Sequence, residues 1–199
     1  MSISTSSPVI FHEASYVEEV TRFVAHRYAT SGYKRVDDAD ALLQALENED
    51  RLLAPLSTIA TMNDDSGRLL CTARVIIRTN AEHVLLPVER VFGYRAPLAD
   101  GSRLIEIARL ASVAGGGFLS MQELMIALYE HVDPDSTKDV VVACLDHSLY
   151  KKISMAGWPV RAIGEPLFYF GSETIPVRVD LNSFESLVFE SKQVRFAMK

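Results

Sequence analysis

The stretch Leu104-Ile-Glu-Ile-Ala-Arg-Leu-Ala-Ser112 decides the fold. Its run of apolar residues predicts a buried strand at the centre of a sheet. One acid, Glu106, and one base, Arg109, interrupt this run. A charged side chain inside an apolar strand is costly unless it is paired or serves a binding or catalytic site. The same stretch therefore supplies the central strand and the first candidate functional residues.

The segment that follows predicts bare backbone and then the start of a helix. Gly115-Gly-Gly117 offers N–H groups without side chains, and Ser120-Met-Gln-Glu123 has the spacing of a capping box. Free N–H groups at a helix start favour bound anions. A second buried strand, residues 140–145, comes after this helix, so the strand-helix-strand order predicts one crossover within a sheet.

The rest of the chain alternates helical and strand patterns. Ser15-Tyr-Val-Glu18 predicts a capped first helix that ends at Gly32, and Asp146 predicts the cap of a late helix. The remaining predictions are a helix over 37–49 with Asp37, Asp38 or Asp40 as its cap, a hairpin of 57–62 with 69–78, and closing strands at 160–163, 167–170 and 175–181. The order predicts one α/β domain over residues 1–199, in which helices cover both faces of a mixed sheet. We expect residues 1–8 to be a flexible leader and residues 183–199 a C-terminal extension.

Composition narrows the function classes. The chain has 199 residues, 48% of them hydrophobic, and a net charge of -6. This charge argues against general nucleic-acid binding, and the apolar runs are too short for a membrane helix. Cys71 and Cys144 are expected to be free thiols, and the histidines lack metal-ligand spacing. We therefore expect a cytoplasmic protein with no metal and no tightly bound cofactor.

Several motifs together resemble one superfamily. They are Glu106-Ile-Ala-Arg109-Leu-Ala-Ser112, Cys71-Thr-Ala-Arg74-Val75, Arg27-Tyr28 with Gly32-Tyr33, and Tyr150 with Gly157-Trp158. Their order resembles the GNAT acyltransferases, in the branch of acyl-homoserine-lactone (autoinducer) synthases and long-chain N-acyl amino acid synthases. The resemblance implies a central mixed sheet with splayed central strands and a transferase that needs only an acyl thioester as donor.

Differences between this sequence and the superfamily pattern indicate which donor and which product to expect. The loop Val113-Ala-Gly-Gly-Gly-Phe118 lacks the polar start typical of acetyl-CoA-dependent enzymes, which favours acyl carrier protein as donor. Tyr33 stands where lactone synthases carry tryptophan, and the acids Asp37, Asp38 and Asp40 are loosely spaced. The resemblance thus implies transfer of a long acyl chain to the α-amine of an amino acid. The alternatives are a homoserine-lactone synthase, an acetyl-CoA-dependent N-acetyltransferase and a non-catalytic ligand-binding module.

The resemblance also implies roles for individual residues. Glu106 would be the general base, Arg109 would orient Glu106 or the acceptor, and Tyr150 would protonate the leaving thiolate. Arg27, Tyr33 and Arg74 would bind the acceptor amino acid. The donor would meet Ser112, Gly115, Gly116, Gly117 and Phe118, and the carrier protein would dock on Lys151, Lys152 and Arg161.

Each of these residues also has a structural interpretation. In this interpretation Glu106 and Arg109 form a buried ion pair. Because regular alternation puts them on opposite faces, their convergence requires a bulge in the strand. The glycine run is then a plain turn, and the basic residues belong to an ordinary solvated surface.

Overall fold

A computed structural model describes residues 8–30, 38–113, 117–135 and 137–187. The strands are β1 (Ile10–Glu13), β2 (Ser57–Asn63), β3 (Leu69–Arg78), β4 (Leu104–Ser112), β5 (Val140–Asp146), β6 (Val160–Ala162), β7 (Leu167–Tyr169) and β8 (Ser172–Val179). The helices are α1 (Glu18–Thr30), α2 (Ala39–Leu53), α3 (Pro87–Phe92), α4 (Gly117–Val132), α5 (His147–Met155) and α6 (residues 181–187), with a 3₁₀ turn at Ala54–Leu56.

The eight strands form one sheet in the order β1-β2-β3-β4-β5-β8-β6, and β7 pairs with β8. The pairs β1–β2, β2–β3, β5–β8 and β6–β8 are antiparallel. β4 and β5 are neighbours, and α4 lies between them in the chain, as the predicted crossover requires. The predicted α/β fold with one mixed sheet is confirmed.

The chain forms two compact units. Unit 1 draws on residues 1–76, 107–133 and 170–172, and unit 2 on residues 77–106, 134–169 and 173–199. β3 and β4 each run from one unit into the other. Whether residues 1–199 behave as a single domain stays a prediction.

Within unit 1, helices cover both faces of the sheet. Cys71 and Arg74 are three residues apart on β3, so their side chains point to opposite faces. The Sγ of Cys71 donates to the carbonyl oxygen of Ser120 in α4, 3.8 Å away. Arg74 instead reaches Asp50 in α2. α4 and α2 therefore pack on opposite faces, as predicted.

The core of unit 1 joins the first two helices to the sheet. Val20 and Val24 of α1 and Leu46 of α2 are buried against Ile59 of β2. These helical positions recur three to four residues apart, which is the spacing that puts apolar side chains on one helix face. Burial of each such side chain contributes about 1.5–3 kcal/mol to folding.

The predicted caps of α2 and α5 agree with the structure. Asp38 caps α2 by accepting the N–H of Ala41 at 2.9 Å, and Asp146 caps α5 by accepting the N–H groups of Ser148 and Leu149 at 2.9 and 3.0 Å. Gly157 follows α5 with a φ of 78°, a left-handed conformation that glycine adopts without strain.

Both predicted capping boxes are wrong. α1 begins at Glu18, and the buried Oγ of Ser15 has no hydrogen-bond partner among the described residues. α4 begins at Gly117, so Ser120 lies inside its first turn. With Ser15 or Ser120 as N-cap the helix would begin at residue 16 or 121, whereas α1 begins two residues later and α4 four residues earlier. Gly32, the predicted end of α1, lies outside the described residues.

Two segments differ from their predicted extent. α2 continues to Leu53, four residues beyond the predicted end at Glu49. Residues 181–187 are helical, so the predicted last strand stops at Val179 and the extension does not begin as a strand.

Candidate functional site

The site in unit 2 is built around Glu106. Its side chain is 0% exposed. One carboxylate oxygen, Oε2, accepts the backbone N–H of Val88 at 3.0 Å. The other, Oε1, accepts the thiol of Cys144 at 3.4 Å. Since each oxygen accepts a hydrogen bond, the carboxylate is held in one orientation on β4.

Local structure explains why these donors are available. Pro87 opens α3, and the first N–H groups of a helix have no partner within the helix. The Val88 N–H can therefore donate a hydrogen bond to the carboxylate of Glu106. Glu89 fixes this turn, because its Oε2 accepts the N–H of Leu86 at 3.0 Å and its Oε1 pairs with Arg78 Nη2 at 2.6 Å. The turn that supplies the donor is thus anchored by an ion pair.

Unit 1 holds a separate buried network of charges. Asp50 of α2 is its centre and is 1% exposed. Its carboxylate accepts bonds from Arg74 Nη1 at 2.5 Å, Arg109 Nε at 2.9 Å and Thr21 Oγ1 at 2.7 Å. Glu49 accepts a further bond from Arg109 Nη2 at 2.8 Å. Two guanidinium groups thus offset two carboxylates in the interior of this unit.

Burial lowers the pKa of the Arg74 guanidinium, and the negative charge of Asp50 opposes that shift. The Nε of Arg74 is buried without a hydrogen-bond partner among the described residues. Arg74 is therefore oriented by one carboxylate and keeps an unused donor.

Arg109 breaks the regular geometry of β4. Its φ is 53°, in the left-handed region that non-glycine residues seldom occupy. Its guanidinium also stacks over the ring of Phe170, 4.8 Å from the ring centroid. The backbone of β4 therefore departs from regular strand geometry at Arg109 itself, and strained backbone of this kind is common at functional sites.

Sequence reasoning missed several partners of Glu106 and Arg109, among them Glu49, Asp50, Val88 and Cys144. A signal for the first two was present, because Glu49 and Asp50 continue the helical spacing of the buried residues Leu42, Leu46 and Leu53. Two acids on the buried face of a helix predict a cationic partner. No pattern in the sequence indicated Val88 or Cys144, since both reach Glu106 through tertiary packing.

The other predicted residues are distributed over several elements. Tyr150 is half-buried in α5, Ser112 ends β4, and Arg27 is half-buried in the last turn of α1. Gly117 opens α4, and Phe118 follows it in the helix backbone. Tyr33, Gly115, Gly116 and Asp37 lie outside the described residues.

The predicted docking residues are all exposed. Lys151 and Lys152 lie on α5, and Arg161 lies on β6. Their role in docking a carrier protein stays a prediction.

The thiol of Cys71 is unsuited to covalent chemistry. Burial, and to a lesser extent the charge of Glu123, raises its pKa to about 11, so this thiol is protonated and unreactive near neutral pH.

The described residues contain no group of three or more histidine, cysteine or acidic side chains that could hold a metal ion. Nor do their helices include one with the length and apolar character needed to cross a bilayer.

Comparisons with known proteins place the fold. No family model and no curated protein sequence matches the chain. The fold is similar to that of FeeM, an N-acyl amino acid synthase from uncultured soil microbes, at 14% identity and a TM-score of 0.54, over 88% of this chain and 91% of that one.

Two further solved structures have comparable similarity. The acyl-homoserine-lactone synthase LasI gives 15% identity and a TM-score of 0.55, over 87% of this chain and 90% of its own. An acyl-CoA N-acyltransferase from Pseudomonas aeruginosa gives 12% identity and a TM-score of 0.51, over 88% and 99%. The predicted resemblance is confirmed at the level of the fold: the chain has a GNAT-like fold similar to that of these solved structures.

Proposed function

We propose that the protein is an N-acyltransferase that moves a long acyl chain from an acyl carrier protein thioester to the α-amine of an amino acid. The observation that carries the proposal is the fully buried carboxylate of Glu106, oriented by the Val88 N–H and the Cys144 thiol. A buried, oriented carboxylate is suited to accept a proton at a defined point. The fold shared with FeeM supports this assignment.

In the proposed reaction Glu106 is the general base. The acceptor ammonium loses one proton to Glu106, directly or through a water, and the neutral nitrogen attacks the thioester carbonyl carbon. The carbon–sulfur bond breaks as the tetrahedral adduct collapses and its nitrogen loses a second proton. The products are an amide, a free thiol and one proton.

Tyr150 is proposed to protonate the leaving thiolate. Its hydroxyl makes no hydrogen bond with another described residue, so its proton is not committed within that part of the chain. Covalent catalysis by Cys71 is disfavoured because this buried thiol stays protonated.

The donor is proposed to be acyl carrier protein on two grounds. The loop of residues 113–118 lacks the polar first residue typical of acetyl-CoA-dependent enzymes, and the basic residues Lys151, Lys152 and Arg161 are exposed. Opposite charge at such a surface would raise the rate of encounter more than the affinity. BjaI, a CoA-dependent acyl-homoserine-lactone synthase with a similar fold, makes acyl-CoA the donor to test beside it.

A second candidate is an acyl-homoserine-lactone synthase. The sequence argument against it was the loose spacing of Asp37, Asp38 and Asp40. Asp38 is a helix cap, and the acidic pair Glu49 and Asp50 is already bound by two arginines. The observation that favours the second candidate is the fold shared with LasI.

Mass spectrometry of lipid extracts tests the proposal. Extracts from cells that overexpress the chain are compared with extracts from cells that express Glu106→Gln at the same level. We expect long-chain N-acyl amino acids only with the unaltered protein, and their masses would identify acceptor and chain length. Acyl-homoserine lactones would select the second candidate. Neither product, together with no acyl transfer by purified protein from acyl carrier protein or CoA thioesters, would contradict both.

A further inference from the structure

Unit 2 contains a cavity that shares only Arg161, a proposed docking residue, with the proposed function. Its volume is about 400 Å³, and Arg161, Arg178, Asp139 and Asp180 are among the residues that line it. Arg161 lies on β6 and Arg178 on β8. The two arginines are direct cross-strand partners in an antiparallel pair, so their side chains leave the same face of the sheet side by side.

Two like charges in this position destabilise the fold unless something offsets them. Neither guanidinium has a hydrogen bond or an ion pair with another residue in the part of the chain that the structure describes. Two other arginines of this unit form ion pairs: Arg78 binds Glu89 and Arg103 binds Asp139. Unlike these two, the facing arginines form no ion pair with a described residue.

The carboxylates of the cavity are already engaged. Asp139 is 6% exposed and accepts bonds from Arg103 Nε at 2.8 Å, from the Arg103 N–H at 2.9 Å and from the Asp135 N–H at 3.0 Å. Asp180 accepts the N–H of Ser183 at 2.9 Å. The Ser183 amide and hydroxyl hold the pKa of Asp180 below its usual value, with a smaller contribution from the charge of Arg178. Neither acid forms an ion pair with the facing arginines.

We propose that this cavity binds a phosphate group, held between the guanidinium groups of Arg161 and Arg178. Each guanidinium presents a planar fork of N–H donors, and a tetrahedral dianion can accept two such forks together. The cavity has the size of a site for a small organic ligand rather than for a bare ion. A phosphate monoester therefore fits both its charge and its volume. This inference does not depend on the proposed acyl transfer.

Isothermal titration calorimetry with the full chain tests the inference. Sodium phosphate and glycerol 2-phosphate are titrated separately at constant ionic strength into the wild type, Arg161→Gln and Arg178→Gln. Because each substitution removes charge-assisted hydrogen bonds, we expect either one to raise Kd roughly tenfold or more. Tighter binding of glycerol 2-phosphate would identify an organic ligand, and tighter binding of inorganic phosphate would identify the free ion.

Arg22→Gln is the matched control, because Arg22 is an exposed arginine of unit 1 that pairs with Glu18. It should leave Kd unchanged. Thermal unfolding without phosphate checks that the variants fold, and the removal of one like charge should not lower the Tm. Equal Kd values for wild type and both arginine variants, or an equal loss in Arg22→Gln, would overturn the inference.

Discussion

The two units treat a buried carboxylate in different ways. In unit 1, Asp50 accepts hydrogen bonds from two guanidinium groups and one hydroxyl. In unit 2, Glu106 accepts bonds from a backbone amide and a thiol, which are neutral donors. Both side chains are almost completely removed from solvent, at 1% and 0% exposure.

The difference teaches which acid is structural and which is suited to chemistry. Charge-assisted bonds to guanidinium are about twice as strong as bonds between neutral groups, so they fix Asp50 firmly among its partners. Bonds from an amide and a thiol orient Glu106 without engaging it in that network. We therefore propose that the arginine–carboxylate network serves folding and that Glu106 serves proton transfer.

The largest expected effect is on the stability of unit 1. Asp50→Asn leaves Arg74 and Arg109 buried with one carboxylate fewer, and we expect a loss of about 3–5 kcal/mol in the free energy of unfolding. Urea unfolding followed by circular dichroism measures this loss. Glu18→Gln, in the exposed pair with Arg22, is the control and should cost about 0.5 kcal/mol or less. Similar losses in both variants would show that the buried network is not what stabilises the unit.

A smaller effect concerns Cys71, the buried neutral acid of unit 1. Its pKa of about 11 in the folded chain exceeds that of an unfolded thiol, so the folded state keeps a proton that the unfolded state releases. Stability should therefore fall as pH rises from the ordinary thiol pKa towards 11, by on the order of 1–2 kcal/mol.

The comparison of wild type with Cys71→Ala isolates this contribution, since other groups titrate equally in both. Urea unfolding at several pH values between neutrality and 11 provides the data. The advantage of the wild type should shrink with rising pH. A difference that stays constant over this range would contradict the assigned pKa.

The smallest expected effect concerns the orientation of Glu106. Cys144→Ala removes the donor to Oε1, and we expect kcat for acyl transfer to fall about tenfold with little change in KM, because a less well oriented base affects the transition state. Cys144→Ser keeps a donor and should restore most of the rate. Equal losses in the two variants would mean that Cys144 acts through packing alone.

Much of the fold followed from the sequence. The apolar run of β4, the hairpin of β2 and β3, and the caps at Asp38 and Asp146 are local patterns, and each was predicted near its observed place. The capping boxes at Ser15 and Ser120 failed because a four-residue pattern fits more than one helix start. Tertiary packing, which local sequence does not record, decides between them.

The candidate site was predicted only in part. Glu106 and Arg109 were conspicuous because a charge in an apolar strand is rare, and the resemblance supplied their expected roles. Their partners lie far away in sequence: Arg109 binds Asp50 and Glu106 binds Cys144. Spacing along one chain does not indicate such pairs, so the separation into two different carboxylate environments emerged only from the folded arrangement.

The central claim is that Glu106 serves as the base of an acyl transfer. The most direct test measures thiol release by purified wild type and Glu106→Gln with acyl carrier protein and CoA thioesters and a mixture of amino acids. The account predicts a loss of about 100- to 10,000-fold in kcat for Glu106→Gln, with the circular dichroism spectrum and Tm close to those of the wild type. Undiminished turnover by a correctly folded Glu106→Gln would contradict it.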